Sequence, residues 1–88
     1  MRDKKGLLSA AVRTVELPER QRRVVGLVAR GYSTKQIALM LGLSSGTVSA
    51  HRYAALRKLG LHGSVGLTHY AILKGLVQPG DVPGETES

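Results

Sequence analysis

The sequence predicts an all-α domain of four helices. Three observations carry the prediction. Apolar residues recur at helical spacing in successive windows, serines open three of those windows and glycines close three, and no internal repeat divides the chain. At 88 residues it is one small domain. A domain this size buries only about 60% of its unfolded surface, so modest stability is expected unless a partner adds to it. With no Cys, neither a disulfide framework nor a thiolate metal site is possible. With no Phe or Trp, the core must be built from Leu, Val, Ile and Ala.

Residues 1–16 form a basic arm in which Leu8, Ala11, Val12 and Val15 recur at helical spacing. They read equally as a short extra helix over about Leu7 to Val15 or as a partly ordered tail. Residues 17–77 carry the domain. In LPERQRRVVGLVARG, Pro18 suits a first helical turn, where its missing N–H is no loss, and Glu19 sits where the helix dipole favours an acid. Val24, Val25, Leu27 and Val28 supply the buried stripe, and Gly31 stops the helix after Arg30.

The second helix opens at Ser33 with Gln36 three residues on, a capping box built without an acid. Gly42 ends it. Ser44 caps a third helix that runs to about Leu59, and Gly60 closes that one. A fourth is expected from Ser64 to Leu76. The remainder, 78–88, reads QPGDVPGETES and is expected to be a disordered acidic tail.

Charge is distributed unevenly. The net charge is +7, and no Asp or Glu occurs between Arg20 and Gly80. Arg20, Arg22, Arg23, Arg30, Lys35, Arg52, Arg57, Lys58 and Lys74 lie in that span. An acid-free, basic folded segment makes a positive field that attracts a polyanion, with nucleic acid ahead of a membrane surface.

Ala38, Gly42 and Val48 then fit a helix-turn-helix. Ala38 must be small where the next helix crosses it, Gly42 supplies a positive φ in the tight turn, and Val48 anchors the following helix on the core. At about 100° per residue, Val48, Ala55 and Leu59 share the core face of helix three, with His51 at its border. Ser45, Gly46, Ser49 and Tyr53 face the other way, flanked by Ala50 and Arg57. Small residues there let the helix approach base edges in a major groove, which admits one helix. Ser45, Ser49, Ala50 and Tyr53 are therefore the expected base contacts. Thr34, Lys35, Thr47, Arg57 and Lys58 are the expected phosphate contacts, which supply affinity without sequence information. Thr47 reads equally as part of a helix cap, and Arg57 and Lys58 also suit a solvated helix end.

These residues resemble the LuxR-type (GerE-like) DNA-binding domain. The likeness runs from about Leu17 to Val77, and its most specific pieces are LVARGYSTKQIA, the Thr47-Val48-x-x-His51 pattern and KLGL at Lys58 to Leu61. The resemblance implies a four-helix domain whose third helix reads DNA and whose fourth mediates dimerisation. The chain departs from the pattern at several positions. Gln21 and Arg23 stand where acids are common, Ser49 where Lys is usual, Ala55 where a larger aliphatic residue is usual, and Ser64 near a frequent Arg. The family's preferred DNA sequence is therefore not assumed for this chain. LPERQRRVV and LSSGTVSAHRYAALRKL also resemble region four of sigma factors, which reads a promoter element while attached to RNA polymerase; that pattern leaves KLGL and a fourth helix unexplained.

In helix four, Leu67 and Ala71 mark one face, with Tyr70 beside them, and one face can cover the domain core. Val65, His69, Ile72 and Leu76 are the expected homodimer face. A dimer would bind half-sites about one turn of DNA apart.

Other classes fail on inventory. Acid–base catalysis needs placed carboxylates, which the segment Arg20–Gly80 lacks. His51, His62 and His69 are spaced by eleven and seven residues, matching no standard metal site. No cofactor is expected. No apolar run approaches the ~20 residues of a membrane span. MRDKKGLLSAAV starts like a signal peptide, but Arg13 interrupts it and no long apolar region follows. The expectation is a cytoplasmic, stand-alone, sequence-specific regulator that binds double-stranded DNA. The alternative is an interaction module working through RNA polymerase or another regulator.

Overall fold

The computed structural model describes residues 15–83. Four α-helices follow in order: α1 (Glu19–Ala29), α2 (Thr34–Leu41), α3 (Ser45–Leu59) and α4 (Ser64–Leu73). A single 3-10 turn, Pro79–Asp81, comes after them. No strand occurs among the described residues. Of the expected N-terminal helix only Val15 falls inside this range, and it is not helical.

α1 is the central strut, packed against both α3 and α4, while α2 lies on α3. Its neighbours divide the core in two. Val24, Ile37, Ala38 and Val48 form the smaller cluster, where α1, α2 and α3 meet. The larger cluster joins Leu17, Val25 and Ala29 to Ala55 and Leu59 of α3, Leu67, Tyr70 and Ala71 of α4, and Val77 and Val82 beyond it. Full burial of a Val, Leu or Ile side chain is worth about 1.5–3 kcal/mol. The small cluster therefore fixes the angle between α2 and α3 with only a few side chains.

The local signals account for most helix ends. Ser33 accepts from the Gln36 N–H at 3.1 Å while its own N–H donates to Gln36 Oε1 at 2.9 Å, completing the neutral capping box. Ser44 Oγ accepts from the Thr47 N–H at 3.0 Å and donates to Thr47 Oγ1 at 2.9 Å. Gly42 takes φ 69°, ψ 36°, so the Leu43 N–H reaches back to the Ala38 carbonyl at 2.9 Å and the turn closes.

Three expectations are corrected. Pro18 is the residue before the helix, with extended ψ of 153°, and Glu19 is the first helical residue. Helix four ends at Leu73, not Leu76. Gly75 (φ 74°) lets Leu76 N–H bond the Ala71 carbonyl at 2.8 Å and Gly75 N–H bond that of Ile72 at 3.1 Å, a paired arrangement that turns the chain back. Disorder from residue 78 onward does not hold for 78–83. Val82 is buried in the larger cluster, Asp81 lies 3.6 Å from Arg30, and Pro83 covers Gly31, leaving no room for a Cβ there. The rest of the tail, 84–88, lies outside the described residues.

The start of the domain is tied down as well. Tyr70 Oη donates to the Val15 carbonyl at 3.0 Å, Lys74 Nζ donates to Glu16 Oε2 at 2.7 Å, and Arg22 Nη1 donates to the Leu17 carbonyl at 2.8 Å. Together these hold the segment 15–17 across α1 and α4.

Candidate nucleic-acid interface

The outer surface of α3 is made by spacing. Val48, Ala55 and Leu59 are buried, which turns Ser45, Gly46, Ser49, Ala50 and Tyr53 to solvent on the opposite side. Tyr53 is 66% exposed. No side-chain hydrogen bond within the described residues engages Ser45, Ser49 or Tyr53. All four expected base-contacting residues therefore share one exposed face, with Tyr53 the only bulky group on it.

The expected phosphate-contacting residues lie at the starts of α2 and α3 and at the end of α3. Thr34 and Lys35 occupy the first two positions of α2; Lys35 is exposed and Thr34 half-buried. Thr47 is exposed, and its hydroxyl is already engaged by Ser44. Arg57 and Lys58 are exposed in the last turn of α3, where the helix dipole also favours a cation. The first turns of α2, α3 and α4 contain no acid, so no side-chain carboxylate offsets the partial positive charge at those ends.

Arg52 behaves differently from the other cations. It is half-buried, its Nη2 donates to Ser64 Oγ at 3.1 Å, and its Nε is buried without a protein partner among the described residues. Its charge is drawn toward α4 and away from the outer face. Sequence spacing gave no hint of this, because the partner lies twelve residues on and across a turn.

On α4, Val65 and His69 are exposed, and Val65 reaches 72%. Ile72 and Leu76 are half-buried and pack against the larger cluster, and Leu76 lies beyond the helix. Leu73, 40% exposed, continues the stripe from Val65 and His69 at four-residue intervals. The early end of the helix is what separates Leu73 from Leu76.

A second surface was not visible in the sequence. A groove of about 470 Å³ runs between α1 and the end of α2, lined by Arg22, Arg23, Arg30, Leu27, Met40 and Leu76 among others. Leu39 and Met40 are exposed on α2, and Met40 is part of the lining. The groove comes from the way α1, the end of α2 and the distant Leu76 pack together, which local periodicity does not report. Among the described residues no group of three or more His, Asp or Glu side chains is placed to hold a metal ion. No described helix is long and apolar enough to cross a membrane.

Comparison with known proteins gives the same architecture a lineage. Residues 15–71 match the model of the bacterial regulatory proteins, luxR family. The transcriptional regulatory protein MctR of Rhizobium johnstonii is 41% identical over 61 residues, which is 69% of this chain and 28% of MctR. The response regulator UvrY of Escherichia coli K12 is 40% identical over 60 residues, covering 68% of this chain and 28% of UvrY. The transcriptional regulatory protein UhpA of Salmonella typhimurium is 45% identical over 60 residues, covering 68% and 31% respectively. The chain thus spans less than a third of the length of these relatives. No solved structure matches. With the fold, the capped turn between α2 and α3 and the family match in agreement, the chain belongs to the luxR family of bacterial regulatory proteins, as one of its DNA-binding helix-turn-helix domains.

Proposed function

We propose that the protein is a sequence-specific regulator of transcription that binds double-stranded DNA in the cytoplasm by laying α3 in the major groove. The observation that carries this is the exposed, acid-free face of Ser45, Ser49, Ala50 and Tyr53, backed by a buried Val48 anchor. Lys35, Thr34 and Thr47 at the helix starts and Arg57 and Lys58 at the end of α3 clamp the two phosphate walls. Their charge provides affinity and steering; the face between them provides sequence preference.

Two copies act together through α4. Val65 and His69, with Leu73, form the outer stripe that meets a second copy. Ile72 and Leu76 contribute at its edge while serving mainly their own core. Such a pair reads an inverted repeat with half-sites about one turn of DNA apart.

The groove between α1 and α2 favours a second reading. Its lining of Arg22, Arg23, Arg30 and Glu19 with apolar Leu27, Met40, Leu41 and Leu76 suits a protein segment, as in a module that works through RNA polymerase or another regulator. Selection from a random duplex library near physiological salt separates the readings. An enriched inverted repeat supports the dimeric DNA reader. A single asymmetric element replaces it with a monomeric reader. Enrichment of nothing over random DNA overturns sequence-specific binding and leaves the protein-partner reading.

A further inference from the structure

The outer face of α3 is unusual for what it lacks. Between Ser45 and Tyr53 it presents no Arg, Lys, Asn or Gln. A guanine is read by Arg or Lys reaching O6 and N7, and an adenine by the paired donor and acceptor of Asn or Gln. Neither device is present where the helix would meet base edges.

Two polar side chains nearby are committed elsewhere, and His51 sits at the border of the core face. Arg52 is held against Ser64 and half-buried. Gln36 spends its Oε1 on the Ser33 N–H. The rise of a helix puts Ser45 and Tyr53 about 12 Å apart, close to the width of the groove, so Arg57, a further turn on, meets the phosphate wall. Lys35 starts the helix that crosses the backbone, outside the groove. What remains on the floor is the Ala50 methyl, the Tyr53 ring and the hydroxyls of Ser45 and Ser49. Serine hydroxyls donate or accept equally and discriminate little.

Only one base-pair feature in the major groove is apolar, the 5-methyl of thymine. We propose that Ala50 and Tyr53 read thymine 5-methyl groups, so that the protein selects its site by apolar contact with A·T pairs and without a guanine fork. The proposal rests on α3 being the major-groove helix. Burial of one methyl-sized group on contact changes affinity by about fourfold. Discrimination therefore accumulates over several thymines rather than residing in one strong pair.

The test uses the full chain and the best duplex from the library selection, measured by fluorescence anisotropy. Replacing the thymines of the site by deoxyuridine removes only the methyl groups, and the expected loss is about fourfold for each methyl contacted. Replacing the guanines by 7-deazaguanine removes the N7 acceptor and should leave affinity little changed. In Ala50→Ser the helix is kept but the methyl becomes a polar hydroxymethyl group. That variant should bind thymine and uracil duplexes with a smaller ratio than the parent. Unchanged binding to the uracil duplex, or a large loss on 7-deazaguanine, overturns methyl readout while DNA binding itself stands. Failure to prefer any duplex in the selection overturns both this inference and the reading on which it rests.

Discussion

The Tyr70 hydroxyl donates to the Val15 carbonyl at 3.0 Å, joining α4 to the segment that precedes α1 across 55 positions of sequence. The ring is the largest fully buried side chain among the described residues, which corrects the expectation of a core built from Leu, Val, Ile and Ala alone. Burial raises the hydroxyl's pKa above its ordinary value of 10.0, so the neutral, donating form persists across the physiological range. Tyr70→Phe keeps the ring and leaves the Val15 carbonyl without its donor. The expected cost is about 1 kcal/mol, seen as a lower urea midpoint with unchanged m-value. An equal midpoint would mean that water replaces the hydroxyl at no cost.

Beside it, Lys74 and Glu16 make the second tie. The hydrogen bond from Lys74, followed by its charge, lowers the Glu16 carboxyl below its ordinary value of 4.5. The folded state therefore binds fewer protons at this site than the unfolded state. Stability from the pair is present above the unfolded pKa and is lost as pH falls through the lowered folded value. Glu16 is exposed and the effect is screened, so it should shrink with added salt. Urea midpoints measured from neutral pH down through the carboxylate range should fall less steeply for Glu16→Gln than for the parent. Parallel curves would remove the pair from the stability of the fold.

The sequence announced its punctuation and its inner faces, because both are local. Ser33 with Gln36, Ser44, and Gly42 each act within four residues, and each does in the structure what its type and position imply. Val48, Ala55 and Leu59 are buried because a helix repeats its faces at a fixed angle. What escaped depended on distant partners. Arg52 turns inward because Ser64 accepts its hydrogen bond, and Val82 is buried because Arg30 and Gly31 receive Asp81 and Pro83. The end of α4 was misjudged for another reason. Gly75 followed by Leu76 is a stop signal, but the apolar periodicity through Ile72 and Leu76 masked it. Ile72 and Leu76 then joined the core instead of facing wholly outward.

Gly42 offers a clean measure of turn cost. A Cβ added there meets no atom within 4 Å, so a substitution changes only backbone energy. At φ 69°, Gly42→Ala should destabilise by about 1–2 kcal/mol, and Gly42→Asn by less, since Asn tolerates this region. Thermal unfolding of the three proteins gives the order. Equal stability of Ala and Gly variants would show that the turn relaxes to another conformation.

The two kinds of residue on α4 should separate by assay. Val65→Lys changes an exposed position and should leave stability within about 0.5 kcal/mol while abolishing the proposed dimer in sedimentation equilibrium. Ile72→Ala should cost about 2 kcal/mol of stability, the low end for such a truncation because the side chain is only half-buried. Dimers that survive Val65→Lys and a matching change at Leu73 would move the contact off this helix.

Charge and sequence preference should come apart on α3. Arg57→Ala removes a cation from the last turn without touching the face between Ser45 and Tyr53. It should weaken selected and random duplexes alike and reduce the slope of log affinity against log salt by about 0.9, one phosphate's worth. Tyr53→Ala removes an uncharged, exposed ring, so the slope should stay put while the ratio of selected to random binding falls. Ser49→Lys runs the other way, adding a cation in the middle of the helix. It should strengthen binding to all duplexes, steepen the salt slope by about the same amount and shift the preferred bases toward guanine, which an ammonium reads at O6 and N7. Filter binding of the three variants on both duplexes over a salt series checks every arm. If Tyr53→Ala and Arg57→Ala lose affinity equally on selected and random DNA, the division of α3 into a reading face and a clamping end is wrong.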